Sequence, residues 1–324
     1  MKMAKVKNDT SKIVTMVERD MDQVKRRQRV MKVVSKIMVY VFLSIMAVIV
    51  LFPFYWMIIS SLKSLEEYKL SVPTLFPQEI HWENYIKAFS TANLWQLFKN
   101  TMYVGVVSTI LSLVITVLSA FAFARLEFKG RDTFFTILLA TMMIPGELFT
   151  ITNYQTVSNF LGLATLGSEL GIPLLNQLGN WHNTYAVLIV PFLVSVFYIY
   201  LLKQNFLQIP NELYLAAKVD GTTDLKYLWK VMIPLAAPTL VSITILKMMG
   251  AWNSYVWPRL VANREDMRMI TNGLRNAFTN ANTLETDYPV QMAAVALVSI
   301  PLFLVFLFFR KYIMKGVSRS GIKG

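Results

Sequence analysis

Two ionisable side chains, Glu147 and Lys247, sit inside long apolar stretches. A charge placed there is costly, so such a residue marks a functional site by default. The stretch that holds Lys247 ends in Trp252, Asn253, Tyr255 and Trp257. Aromatic faces and an amide suit the C–H surfaces and hydroxyls of a sugar. Interfacial anchoring explains tryptophans equally well and is the favoured reading for Trp257, while Asn253 and Tyr255 stay open as pathway candidates. These residue types point to contact with a polar solute rather than to covalent chemistry. There is no cysteine, which excludes disulfides, thiolate metal sites and cysteine nucleophiles. His81 and His182 fall in polar loops without metal-ligand partners, and no paired-carboxylate or Ser/His/Asp constellation stands out. Gly162 and Gly167 have the gap of a phosphate loop, but Ser168 and Glu169 follow where Lys and Ser or Thr are required. The chain is expected not to be an enzyme, and to hold no metal and no cofactor.

A different chemistry, protein docking, is carried by the polar stretch from Pro210 to Pro234. Pro210 stops the preceding helix, and Asn211 is expected to cap a short helix from Glu212 to Val219. Ala216 and Ala217 are read as one small face that permits close approach, with Lys218 and Asp220 beside it. Gly221 suits a left-handed C-cap, and Pro234 opens the next apolar segment.

The elements that position these residues follow from hydropathy. The chain has 324 residues, of which 55% are hydrophobic and 16% charged, and its mean hydropathy is +0.47. That balance predicts an all-α membrane protein. Six segments are long and apolar enough to span: Ile37 to Ser60, Thr101 to Phe123, Phe134 to Gln155, Tyr185 to Leu202, Pro234 to Trp257 and Gln291 to Phe309. Each is near the ~17–25 residues a crossing needs. Lys and Arg divide as 23 on one side, including both termini, and 8 on the other, with Lys247 inside a span. The positive-inside rule places both termini in the cytoplasm. The formal charge of +13 is therefore a topology signal and argues against nucleic acid as a partner. Residues 1–36 read as a basic cytoplasmic tail beside anionic lipid, and 37–324 as a six-span domain with its docking loop at 210–234. The first span reads as an uncleaved signal anchor, because its apolar core is too long for a cleaved leader.

Thr101, Gly105, Ser108, Ser112, Thr116 and Ser119 share one face of the second span. Close helix packing is favoured over pathway lining for this stripe. Glu147 and Lys247 each lie 13 residues into their spans from the cytoplasmic side, hence at equal depth if both spans are helical throughout. Equal depth permits an ion pair; the alternative is that each reaches toward water. Outside, residues 63–99 carry an aromatic cluster of Trp82, Tyr85, Phe89 and Trp95, and 159–183 is free of Lys and Arg and reads as a short surface helix.

The spacing Ala-Ala-x-x-Asp-Gly, then twelve residues, then Pro resembles the coupling loop of binding-protein-dependent ABC importer permeases. Trp252, Asn253, Tyr255, Trp257 and Pro258, with the ending Ser320 to Gly324, resemble the carbohydrate subgroup, as do Asn84–Tyr85 and Asn100–Thr101. The chain looks like the second permease of maltose-type sugar importers. Two positions depart from the pattern: Leu215 stands where the family has Glu, and Thr222 where it has Ala. The resemblance implies a bacterial or archaeal inner-membrane protein that pairs with a homologous permease. It implies two ATPase subunits that hold ATP and Mg, and an extracytoplasmic solute-binding protein. Glu212, Ala216, Ala217, Lys218, Asp220, Gly221 and Pro234 would form the ATPase-coupling loop. Asn280, Ala281 and Asn282 would reach into the docked binding protein. Other polar solutes such as glycerol phosphate esters compete with sugars. An ion-coupled secondary transporter using Glu147 and Lys247 is the remaining alternative, although it needs no docking loop.

Overall fold

Lipid offers no hydrogen bonds to a backbone, so long runs of Leu, Ile, Val, Ala and Met close their hydrogen bonds within helices. The computed structural model describes residues 2–275, 277–279 and 285–318, with side chains described between residues 30 and 310. The chain divides into two units between Ile59 and Ser60. The first is the body of helix α1 (Lys2–Ser61), which carries Pro53 and is long and apolar enough to cross a membrane from Val30 onward. Its apolar side chains from Val30 to Phe54 are exposed, as a lipid-facing surface requires.

The second unit opens with α2 (Leu65–Tyr68) and α3 (Glu83–Thr91), followed by α4 (Leu94–Arg125), α5 (Arg131–Thr141) and α6 (Leu148–Ser158). Then come α7 (Leu163–Leu170), α8 (Pro173–Gly179), α9 (Tyr185–Ile189) and α10 (Val196–Leu207). The polar stretch expected to dock holds α11 (Asn211–Val219), α12 (Asp224–Tyr227) and α13 (Ile233–Leu235). The unit ends with α14 (Ala237–Trp252), α15 (Val256–Val261), α16 (Ile270–Gly273) and α17 (Tyr288–Ser318). Among the described residues there is no strand, only an isolated antiparallel bridge between Thr279 and Thr286.

Of the six expected spans, three are single helices long and apolar enough to cross a membrane and two are bent helix pairs that are so only together, while the third is neither among the described residues. α1, α4 and α17 are each long and apolar enough to cross a membrane unbroken. The fourth is bent by 48° between Phe192 and Val196, where Pro191 removes a backbone donor. The fifth is bent by 80° at Ala236, so Pro234 lies in the short turn before the bend, and the span proper opens at Ala237 with Pro238 in its first turn. The third is broken between Thr141 and Leu148, around Pro145 and Gly146, and its two pieces are each 11 residues long. Depth arithmetic that assumes unbroken helices therefore fails for both Glu147 and Lys247.

α4 is the axis of the second unit, packed against both α10 and α14. Its hydroxyl stripe is buried at Thr101, Ser108, Ser112 and Thr116, as packing requires. A β-carbon at Gly105 would fall 2.8 Å from Met248 Sδ, so the flexible end of the Met248 side chain occupies the space the glycine leaves between α4 and α14. One core lies around Phe121, Leu202, Phe206, Tyr227 and Met232, beneath the docking loop. A second joins Leu94 and Leu97 of α4 to Trp252, Val290 and Ala293. The stretch 159–183, expected as one surface helix, is a hairpin of α7 and α8. A β-carbon at Gly179 would lie 2.1 Å from the Ala164 backbone nitrogen, so the two helices touch backbone to backbone there.

Candidate functional site

The docking loop is built from its two ends. Arg125, at the C-terminus of α4 and 9% exposed, donates through Nη2 to the carbonyls of Phe206 at 2.9 Å and Ile209 at 2.6 Å. A guanidinium on carbonyls at the C-terminal end of α10 also complements that helix's dipole. Pro210 precedes α11 in an extended conformation, with no side-chain cap, and Asn211 is the first helical residue rather than the cap expected from sequence. At the other end Gly221 has φ +68°. Its N–H donates to Lys218 at 3.0 Å, and that of Thr222 donates to Ala217 at 2.8 Å. This pair of bonds is a Schellman ending, which satisfies carbonyls that the helix leaves free.

Beyond the cap the chain doubles back. Asp224 Oδ1 accepts from Tyr214 Oη at 2.7 Å and pairs with Lys218 Nζ at 2.7 Å. The contacts with Lys218 and then Tyr214 hold the Asp224 carboxyl below the usual carboxylate range. The same contact with Asp224 raises Lys218. Tyr214 packs its ring against buried Tyr227, with centroids 5.1 Å apart. After α12 a π-helical turn, Leu228–Met232, leads into Pro234 and the 80° bend.

The two alanines do not share a face. Ala217 packs inward on the core beside Tyr214, whereas Ala216 is exposed. With Glu212 and Val219, the latter 89% exposed, Ala216 forms the outward side of α11. Leu215, the departure from the family pattern, is 55% exposed beside it. Asp220 is exposed at the C-cap, where the helix dipole disfavours a carboxylate, and no side-chain contact among the described residues compensates it. An apolar and acidic face of this kind, on a helix anchored at both ends, is suited to a groove on another protein.

Above the loop, a cleft of about 630 Å³ is lined by Ser108, Thr150, Asn153, Tyr198, Lys247, Ser254 and Trp257, among others. Lys247 Nζ donates to the Phe192 carbonyl at 2.5 Å, at the break in the fourth span. Glu147 is exposed at the start of α6, and among the described residues no ion pair joins it to Lys247. The lysine's partner is thus a carbonyl at a helix break, which sequence spacing did not reveal. Trp257 is 5% exposed and donates Nε1–H to the Val187 carbonyl at 2.9 Å, so it is a core residue and not the interfacial anchor favoured from sequence.

A second, more polar cleft of about 750 Å³ lies among residues expected outside. Tyr255 lines it, its Oη accepting from Arg259 at 2.5 Å and also from Arg275. Asn253 is exposed at the C-cap of α14 and lines neither cleft. The two family-like pairs have structural work: Asn84 donates to the Ser61 and Lys63 carbonyls, and Asn100 donates to those of Asp266 and Arg268. Thr101 Oγ1 accepts from the Ile270 N–H at 2.9 Å. Asn280, Ala281 and Asn282 lie outside the described residues; the stem below them is closed by the Thr279–Thr286 bridge. Sequence reasoning missed Arg125, Tyr214 and Asp224. Tyr214 and Lys218 are spaced for one helix face, but their common partner is legible only once the chain has turned.

Comparison with known proteins adds four findings. A family model described as "Binding-protein-dependent transport system inner membrane component" matches residues 112–319. The arabinooligosaccharides transport system permease protein AraQ of Halalkalibacterium halodurans is 29% identical over 281 residues, covering 86% of this chain and 93% of its own length. The diacetylchitobiose uptake system permease protein NgcG of Streptomyces coelicolor is 30% identical over 274 residues, covering 85% and 84%. A chain from the crystal structure of a bacterial ABC transporter that imports the acidic polysaccharide alginate shares the fold, with TM-score 0.70 and 24% identity, covering 86% of this chain and 96% of that one.

Proposed function

Because the chain belongs to the family of binding-protein-dependent transport system inner membrane components, we propose that it is the transmembrane permease subunit of an ATP-driven importer for a sugar or oligosaccharide. The observation that carries this reading is the α11 loop: a doubly anchored helix, outward face apolar and acidic, joined through a bend to an apolar helix. In this reading α11 docks on an ATPase subunit, with Glu212, Ala216 and Asp220 at the contact and Gly221 and Pro234 shaping its exit. Closure of two ATPases around ATP and Mg moves the docking helices, and the spans pass from an outward to an inward opening. A homologous permease supplies the other half of the pathway, and an extracytoplasmic binding protein delivers the solute. The chain itself catalyses nothing and holds no cofactor. In this reading the chain has six spans, and the excess of Lys and Arg on one side supports both termini being cytoplasmic in a bacterial or archaeal cell.

The cleft around Lys247 is the proposed pathway surface, with Phe149 and Tyr198 for sugar faces and Asn153 and Ser254 for hydroxyls. Tyr255 and Asn253 sit nearer the outer side, and Asn280, Ala281 and Asn282 are the proposed contact with the binding protein. A second reading, an anionic solute, draws on one observation: the cleft is lined by a lysine and by no carboxylate. An importer relative named for sn-glycerol-3-phosphate, from Rhizobium meliloti, is 29% identical over 294 residues.

The test is reconstitution of this chain with its genomic neighbours in proteoliposomes. The expected result is ATP hydrolysis stimulated by a binding protein loaded with an oligosaccharide, together with uptake of that sugar. Uptake driven by an ion gradient without ATP overturns the importer reading. Uptake of glycerol phosphate and not of sugars selects the second. Accessibility of a tag after residue 324 from outside overturns the orientation.

A further inference from the structure

α11 has nine residues, too few for a helix to be stable alone in water. Its aim therefore depends on what grips its inner side. Tyr214 and Lys218 stand one turn apart on that side. Both reach a single oxygen, Asp224 Oδ1, each at 2.7 Å. Asp224 is the first residue of α12, where the positive end of the helix dipole favours a carboxylate. The Tyr214 ring is also set against Tyr227, which is 1% exposed. The turn through Gly221 is thus closed into a bracket whose two arms are α11 and α12.

Exposed ion pairs contribute little to stability, and the Lys218 and Asp224 side chains are 45% and 36% exposed. Stability is therefore a poor account of why three groups converge here. What they remove is one freedom, the rotation of α11 about its own axis. With Tyr214 and Lys218 drawn inward, Glu212, Ala216 and Val219 fall on the opposite side of the helix.

We infer that Asp224 is a positioning residue for energy coupling, holding α11 through Tyr214 and Lys218 so that force at its outward face passes into α12 and the bend before α14. This rests on the coupling role proposed above. A side chain outside the docking face thereby sets how much ATPase motion reaches the spans.

The experiment uses the assembled importer in proteoliposomes and reads solute moved per ATP hydrolysed. Asp224→Asn keeps the shape and removes the charge. Complex yield and unstimulated hydrolysis are expected at wild-type levels, with solute per ATP lowered about threefold or more, the scale of a lost ion pair and hydrogen bond together. Tyr214→Phe with Lys218→Met is expected to cause the same fall, and adding Asp224→Asn to that pair to cause little more. Asp224→Glu, which keeps a carboxylate, is expected to recover some of the ratio. A wild-type ratio in Asp224→Asn, losses that simply add, or a fall in yield with an unchanged ratio each overturns the inference. Ala216→Arg separates the two levels. If it blocks ATPase assembly while Asp224→Asn is silent, only the positioning role fails; if Ala216→Arg is also silent, the coupling reading itself fails.

Discussion

Gly221 ends α11 in a backbone conformation that other residues rarely adopt. Its φ is +68°, yet a β-carbon there would meet nothing within 4 Å in this chain. The expected effect of Gly221→Val is backbone strain of about 1–2 kcal/mol or somewhat more, not a collision. Gly221→Asn is expected to be milder, since Asn tolerates the left-handed region. Binding-protein-stimulated hydrolysis should fall in that order, and equal rates in both variants would remove Gly221 from its role. The glycine was legible in sequence because one residue type serves one local geometry. Asp224 was not, since its function depends on a neighbour ten residues back across a turn. Its carboxyl is held low by Lys218 and Tyr214, so the stabilisation is present above the ordinary carboxylate range and is lost as pH falls through the lowered value. Lys218 is held high, so its share is present below the ordinary lysine range and is lost as pH rises through the raised value. Solute moved per ATP should therefore stay flat across neutral pH; a step near neutrality would point to another titrating group. For Glu147 and Lys247 the cleft geometry predicts independence: the losses from Glu147→Gln and Lys247→Met should add in a double-mutant cycle of uptake, and a coupled loss would restore the ion pair.

At the scale of elements, hydropathy located the apolar segments but not their directions. A run of apolar residues reads the same whether the helix continues or turns, and the 80° bend at Ala236 lies inside such a run. Pro234 and Pro238 were the available signs, and a proline marks where a backbone donor is missing without saying how far the chain will swing. The third span shows the same gap in reverse: Pro145 and Gly146 separate α5 from α6 in a segment read as one helix. Trp257 was misplaced because composition cannot tell an indole at the interface from one whose N–H finds a carbonyl in the core. The loop between α16 and α17 offers an element-scale test. Its stem is closed at Thr279 and Thr286, so deleting residues 280–282 should leave insertion and ATPase assembly intact. Uptake from the loaded binding protein should fall severalfold if those residues enter it. Unchanged uptake would make the loop a connector.

At the scale of the whole chain, the exposed surface is largely apolar. Ile110, Val114 and Leu118 on α4 and Phe303, Phe306 and Phe308 on α17 leave broad apolar surface exposed, which lipid or another set of helices must cover. The cleft adds a harder requirement. Lys247 is only half buried within an apolar span, and hydrocarbon at that opening would meet an ammonium satisfied by one carbonyl. A charged group at the centre of a spanning helix costs ~2.5–3.5 kcal/mol on insertion scales. In a cell, that cost becomes a matter of supply. If a second permease covers the cleft, as proposed above, a copy made without it would carry the penalty for its whole lifetime. The chain expressed alone should therefore turn over faster than when co-expressed, and Lys247→Met should lengthen the life of the orphan in pulse-chase measurements. Equal half-lives for the three would mean that the lysine finds water without a companion. If they differ as expected, one intramembrane amine ties the abundance of this subunit to that of its pair, and surplus copies are removed before they can leak solute.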